Sequence, residues 1–209
     1  MSEGDLKREV CRVMSEITSL GLTTPYGGNV SVRVPGEARV WITPSGVFKG
    51  SLAPQFLVKV NMEGGVVEGE MKPSRELRMH LLIYKRRRDV GAVVHCHPRF
   101  ATALGIAGRT ISPVCVEAAL LSAVPLVPYS TPGSERLARA ISQAVSRGAN
   151  AVILKNHGVL AVGSTPEAAL RRAQTLEDAA KMMFIAEQFG KASTIGDREV
   201  KKLLGMGVV

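Results

Sequence analysis

Apolar residues along the chain follow two rhythms. Leu6, Val10, Val13, Met14, Ile17 and Leu20 recur at helical spacing, which predicts a helix over 6–20 that buries one face. Gly21 follows as a natural stop. A turn-rich stretch, Thr23-Thr24-Pro25-Tyr26-Gly27-Gly28-Asn29, leads into the alternation Val30-Ser31-Val32-Arg33-Val34, which predicts a strand. Pro35-Gly36 turns the chain, 39–42 returns as a hairpin partner, and Thr43-Pro44-Ser45-Gly46 makes another turn. A second extended pair is expected over 56–60 and 66–67, joined by Glu63-Gly64-Gly65. Ser74 can cap a helix over 75–88 with Leu77, Leu81 and Tyr84 on one face.

Beyond it, a buried apolar run over 91–97 ends at Pro98. A helix over 99–106 stops near Gly108, a short helix is expected over 117–122, and 125–127 reads as a strand. Ser134 caps a helix through Val145, stopped at Gly148. Strands follow over 151–154 and 159–162, and Thr165-Pro166 opens a long helix reaching about Phe189. The tail from Lys191 holds a charged helical piece and a glycine-rich end. Strands and helices are intermixed, several neighbouring strands are joined by short turns, and no repeat or linker intervenes. The pattern predicts one α/β domain over 1–209, a mixed or antiparallel sheet with helices packed against it.

Composition narrows the class. The chain is 45% apolar, enough for a real core, yet no run approaches the ~20 apolar residues of a membrane helix. Met1-Ser2-Glu3-Gly4-Asp5 is polar and acidic, unlike a secretory signal. Cys11, Cys96 and Cys115 are odd in number and form no CxxC pair, so a reducing, cytoplasmic setting is expected. The net charge of +9 favours an anionic partner. Aromatics are only 4% and offer no stacking platform, so a phosphorylated metabolite is preferred to nucleic acid, and no membrane partner is expected. The cationic run Lys85-Arg86-Arg87-Arg88 closes a predicted helix, where it complements the dipole.

The candidate chemistry sits at strand ends. His95 and His97 are one residue apart, so an extended strand turns both imidazoles to one face. Cys96, between them, faces the other way and is expected in the core. His157 ends another apolar strand in Asn156-His157-Gly158. Three imidazoles and an open position make a catalytic zinc arrangement. A carboxylate would complete it. Glu76 lies at the start of its predicted helix and His80 one turn later on the same face, and spacing does not say which of the two reaches a metal. Three turns offer backbone N–H groups and hydroxyls suited to a phosphate: Gly27-Gly28-Asn29, Thr43-Pro44-Ser45-Gly46, and Pro73-Ser74 with Arg75 beside it. Each alone is ordinary turn chemistry.

Taken in order, six motifs resemble the class II aldolase/adducin family, and within it the branch of L-fuculose-1-phosphate aldolases: Gly28-Asn29-Val30-Ser31-Val32-Arg33, Ile42-Thr43-Pro44-Ser45-Gly46, Pro73-Ser74-Arg75-Glu76, Val93-Val94-His95-Cys96-His97, Pro128-Tyr129-Ser130-Thr131 and Asn156-His157-Gly158. The resemblance implies a three-layer α/β/α fold with a mixed, largely antiparallel sheet, and a homotetramer with sites at subunit interfaces. It implies one Zn(2+) per subunit on His95, His97 and His157, with Glu76 as fourth ligand and acid/base, and a structural role for His80. It implies a phosphate site of Gly28, Asn29, Thr43, Gly46 and Ser74. Related 4-epimerases carry Asp where Glu76 stands, which points to carbon–carbon cleavage. The implied activity is reversible cleavage of a ketose 1-phosphate to dihydroxyacetone phosphate and an aldehyde.

The chain departs from that pattern at the aldehyde end. Arg75 replaces a second phosphate-binding Ser, Val116 stands near the position of a proton-donating Tyr, Pro132 replaces an aromatic residue, and Leu203-Leu204-Gly205 lacks a matching Tyr. Glu117 and Tyr129 are the candidate acid/base groups there. A similarly placed Glu in methylthioribulose-1-phosphate dehydratases makes a dehydratase the alternative. A non-enzymatic adducin-like interaction module is a further one, disfavoured by an intact metal set.

Overall fold

The computed structural model describes residues 2–121 and 123–206. Its helices are α1 (Glu3–Ser19), α2 (Leu77–Arg86), α3 (Arg99–Ile106), α4 (Val116–Leu120), α5 (Glu135–Ser146), α6 (Pro166–Gln188) and α7 (Asp197–Gly205). Its strands are β1 (Asn29–Arg33), β2 (Arg39–Ile42), β3 (Val58–Asn61), β4 (Val66–Glu68), β5 (Ala92–Cys96), β6 (Leu126–Val127), β7 (Ala151–Leu154) and β8 (Gly158–Gly163). The strands form one sheet in the order β4-β3-β2-β1-β5-β8-β7-β6. Every neighbouring pair is antiparallel except β6 and β7, which are parallel.

Strand alternation gives the sheet two apolar faces. Val30 and Val32 of β1 and Ala92, Val94 and Cys96 of β5 pack with α1, α3 and α6. Val93 of β5 packs on the opposite side with α2 and α5, through Met79, Ile83, Leu137 and Ile141. The result is an α/β/α arrangement of three layers. Alternation also puts Ser31 of β1 on the α2 side, where its hydroxyl meets His80 and Tyr84. Asn29 pairs in register with His95 across β1 and β5, so the two side chains stand together on that side.

Several expected bounds moved, each for a local reason. Phe56 belongs to a 3-10 turn, Pro54–Phe56, ahead of β3. The short helix α4 opens at Val116, and Ser122, the last residue expected in it, lies outside the described residues, as does the tail end at 207–209. Helix α2 begins at Leu77, not at 75. Pro44 and Pro73 form an isolated antiparallel bridge, and the Ser74 N–H donates to the Thr43 carbonyl. The segment before α2 is thereby held extended, and the Ser74 hydroxyl accepts the Glu76 N–H instead of capping a first turn at 75.

Candidate active site

Three chain segments bring three imidazoles together. β5 delivers His95, and His97 follows just past its end. The β7–β8 turn delivers His157. That turn needs its flanking residues. Asn156 takes a left-handed conformation, φ 57°, which Asn tolerates better than most residues. Gly158 sits so close to β5 that a Cβ would lie 2.4 Å from the Cys96 carbonyl oxygen and 2.8 Å from the His97 ring. His95 Nδ1 is 2.7 Å from the Val159 carbonyl. A carbonyl only accepts, so Nδ1 carries hydrogen and Nε2 is the atom turned to the cluster. His97 Nδ1 meets the Thr23 hydroxyl at 3.1 Å, and its Nε2 lies 3.1 Å from His95 Nε2. One ring nitrogen from each of the three histidines falls within 4.8 Å of the others.

Glu76 closes the group. Because it precedes α2, with φ −99° and ψ 12°, its carboxylate turns away from the helix. Oε2 lies 3.1 Å from His95 Nε2 and Oε1 3.3 Å from His157 Nε2. Burial pushes this carboxyl up, but the adjoining His95, with a hydrogen bond to it, and the Asn29 amide hold it well below the usual carboxylate range. Burial and the neighbouring imidazoles bring His97 down to about 3 and His157 to about 4, so both are neutral, the form that ligates metal. Glu76 Oε1 and His157 Nδ1 are buried without a hydrogen-bond partner. Converging imidazole nitrogens beside a carboxylate repel unless a cation or proton lies among them. The residues therefore fit a divalent metal.

His80 resolves differently. It is fully buried and touches Asn29 and Ser31 at 2.5 and 2.7 Å. The Asn29 amide donates to Glu76 Oε2 at 3.0 Å, so its carbonyl faces His80. His80 Nε2 must then donate, Nδ1 must accept from the Ser31 hydroxyl, and the Tyr84 hydroxyl donates to Ser31 at 2.8 Å. Both ring nitrogens of His80 are thus occupied, and the Glu76–His80 connection runs through Asn29.

Beside the cluster lies a cleft of about 450 Å³, lined by Gly28, Asn29, Ser45, Gly46, Ser74, Arg75, Glu76, His97 and His157, with Tyr26, Gly27, Lys49 and Pro132. The three turns singled out in the sequence meet here. Gly28 needs both its freedoms: φ is +64°, and a Cβ would lie 2.8 Å from the His95 carbonyl oxygen. Thr43 is the exception. It is fully buried and its hydroxyl accepts the Val30 N–H at 3.2 Å, so it stands behind the wall, and Ser45, two residues on, lines the cleft instead. Lys49 and Thr23 carry no site role in the sequence. Neither sits in a motif of metal or phosphate chemistry, and only the fold brings them in. Glu117 and Tyr129 are absent from this cleft. Glu117 lines a separate one of about 510 Å³ with Cys115, Met182 and Ile185, and Tyr129 is exposed.

The sheet, its two helical layers and the histidine cluster define a known class: the chain belongs to the family of the class II aldolase and adducin N-terminal domain, which matches residues 8–184. It is a metal-dependent lyase. It is 32% identical over 198 residues to a 5-deoxy-D-ribulose 1-phosphate aldolase of Bacillus thuringiensis serovar kurstaki, covering 94% of this chain and 92% of the relative. It is 32% identical over 207 residues to a 3-oxo-tetronate 4-phosphate decarboxylase of Escherichia coli (strain K12), covering 96% and 92%. A solved L-fuculose 1-phosphate aldolase superposes with a TM-score of 0.93 at 31% identity, covering 99% of this chain and 97% of that one. No helix among the described residues is long and apolar enough to cross a membrane.

Proposed function

We propose that the chain is a zinc-dependent aldolase that cleaves a ketose 1-phosphate to dihydroxyacetone phosphate and an aldehyde. The carrying observation is the histidine cluster with Glu76, opening beside a cleft walled by the Gly28, Gly46 and Ser74 turns. His95, His97 and His157 would hold the zinc with Glu76 as a fourth ligand, and bound zinc supplies Lewis-acid polarisation of the ketone. Gly28, Asn29, Ser45, Gly46, Ser74 and Arg75 grip the phosphate, fixing the substrate by atoms remote from the reacting bond. A base on the aldehyde side takes the hydroxyl proton. The carbon–carbon bond then breaks, its electron pair passes into the enediolate of dihydroxyacetone phosphate, and Glu76 returns a proton to the hydroxymethyl carbon. The Asn29 amide holds Glu76 in line for that transfer.

The Escherichia coli relative motivates a second reading. Decarboxylation of a 3-oxo acid phosphate leaves the same enediolate, with carbon dioxide departing in place of an aldehyde. One panel separates the readings. Zinc-loaded protein is incubated with ketose 1-phosphates, 5-deoxyribulose 1-phosphate among them, and with a 3-oxo-tetronate 4-phosphate. Dihydroxyacetone phosphate released with equimolar aldehyde sustains the aldolase. Release with carbon dioxide replaces it by the decarboxylase, and loss of water with the carbon count retained by the dehydratase.

We read residues 1–209 as one domain, since a single sheet carries both apolar cores. The unpaired Cys11, Cys96 and Cys115 favour the cytoplasm. Exposed Met182, Phe184, Ile185 and Phe189, on and just past α6, favour assembly, which we take as a homotetramer whose neighbouring subunits complete the aldehyde end.

A further inference from the structure

Lys49 is only 4% exposed, yet it forms part of the cleft wall beside the Gly28 and Ser74 turns. Its Nζ donates to the Gly28 carbonyl at 2.5 Å and faces those of Tyr26 and Gly27 at 3.5 Å. Its backbone N–H donates to the Pro25 carbonyl at 2.7 Å. All of these partners are neutral. Among the described residues no carboxylate forms an ion pair with Lys49. Glu76, the carboxylate whose charge it feels, is paired with His95 and His157. A buried cation with only carbonyl dipoles around it is costly, and burial pulls the ammonium down from its ordinary range. An apolar side chain would fill this place at lower cost, so the charge calls for a counter-ion. The cleft opens beside it, and its turns present backbone N–H groups and hydroxyls suited to a phosphoryl dianion.

We propose that Lys49 is a specificity-determining residue: its ammonium, aimed by the Gly28 carbonyl, is the fixed counter-charge of the substrate phosphate. This rests on the phosphate-end reading above. It explains how turns whose other cation, Arg75, lies at the rim discriminate a phosphorylated ketose from its unphosphorylated sugar. Arg75, exposed at the rim, is screened by solvent, and Lys49 is not.

The test is calorimetric titration of zinc-loaded protein with inorganic phosphate, for the parent and for Lys49→Arg, Lys49→Gln and Lys49→Met, after zinc content and thermal unfolding have been measured for each. Lys49→Gln keeps a donor without the charge, and Lys49→Arg keeps the charge. The expected result is phosphate affinity lowered about tenfold or more in Lys49→Gln and Lys49→Met, as for loss of a charged hydrogen bond, with Lys49→Arg near the parent. With the ketose phosphate, KM should rise and kcat hold. Parental affinity in a folded, zinc-loaded Lys49→Gln overturns the proposal, because a loop staple needs no charge. If the neutral variants fail to fold, the parent decides: the Lys49 Cε resonance, assigned by its absence from Lys49→Arg, should shift saturably with phosphate, and an unmoved resonance overturns the proposal. Failure of the parent to bind phosphate at all is a separate result and removes the phosphate-end reading.

Discussion

At one end of the cleft, His95, Asn29 and Glu76 are locked by strand register and buried hydrogen bonds. Glu117 and Tyr129, proposed for the aldehyde end, stand apart from it, Glu117 in a separate cleft and Tyr129 exposed. The first group is brought together within one chain; the second is not brought to this cleft. Chemistry that both related activities share, forming the enediolate of dihydroxyacetone phosphate, needs only the first end. Chemistry that distinguishes them, handling an aldehyde or carbon dioxide, belongs to the second. Under the proposed homotetramer, substrate choice would be written in residues that a neighbouring subunit helps to place.

Breaking the built end should have the largest effect. His95→Ala, His97→Ala and His157→Ala each remove one imidazole of three. Each should lose zinc under mild chelation and show no turnover, a heavier loss than the ~10–100-fold that removing an outer-shell partner costs. Elemental analysis after dialysis checks this, and full zinc occupancy in all three would reject the ligand set. A smaller effect should sharpen the contrast. Glu117→Gln is expected to slow ketose cleavage by about tenfold, below the usual acid/base contribution, while hydrogen exchange at the hydroxymethyl carbon of dihydroxyacetone phosphate continues at the parental rate. Tyr129→Phe should behave likewise but more mildly. Loss of exchange in either variant would move that residue to the metal end. The smallest effect on turnover is expected from His80→Ala, which acts on stability: it opens a buried cavity and strands Asn29 Oδ1 and the Ser31 hydroxyl, costing about 3 kcal/mol. Denaturant unfolding reads the cost, and an unchanged midpoint would contradict the hydrogen-bond chain.

How far each end was legible follows from what fixes it. Alternation along β5 determines which side chains share a face, so His95 and His97 were readable as a pair and Cys96 as core, while Asn29 was readable from its turn and the family motif. The Asn-His-Gly turn announced itself because a left-handed residue and a close backbone approach require those types. Register between distant strands is not a local property. Depth is not either: the Thr43 hydroxyl is taken up by the Val30 N–H behind the wall, and Ser45 lines the cleft. The start of α2 was misread because the Pro44–Pro73 bridge, a contact across 29 positions of chain, overrides the capping preference of Ser74. Lys49 was invisible for the same reason: its role depends on carbonyls of a turn 21 to 23 residues earlier. The parallel pairing of β6 with β7 carries no local signature either.

Glu76, poised on two of the three histidines, is proposed to move the proton of the enediolate. The most direct measurement is tritium release from dihydroxyacetone phosphate labelled at its hydroxymethyl carbon, by zinc-loaded parent and zinc-loaded Glu76→Gln. This needs neither the aldehyde nor the second end of the cleft. The expected result is metal retained in both and release slowed at least ~10²-fold in Glu76→Gln, the lower range of acid/base contributions. Release at the parental rate from folded, metal-loaded Glu76→Gln would contradict the claim and leave the carboxylate a ligand alone.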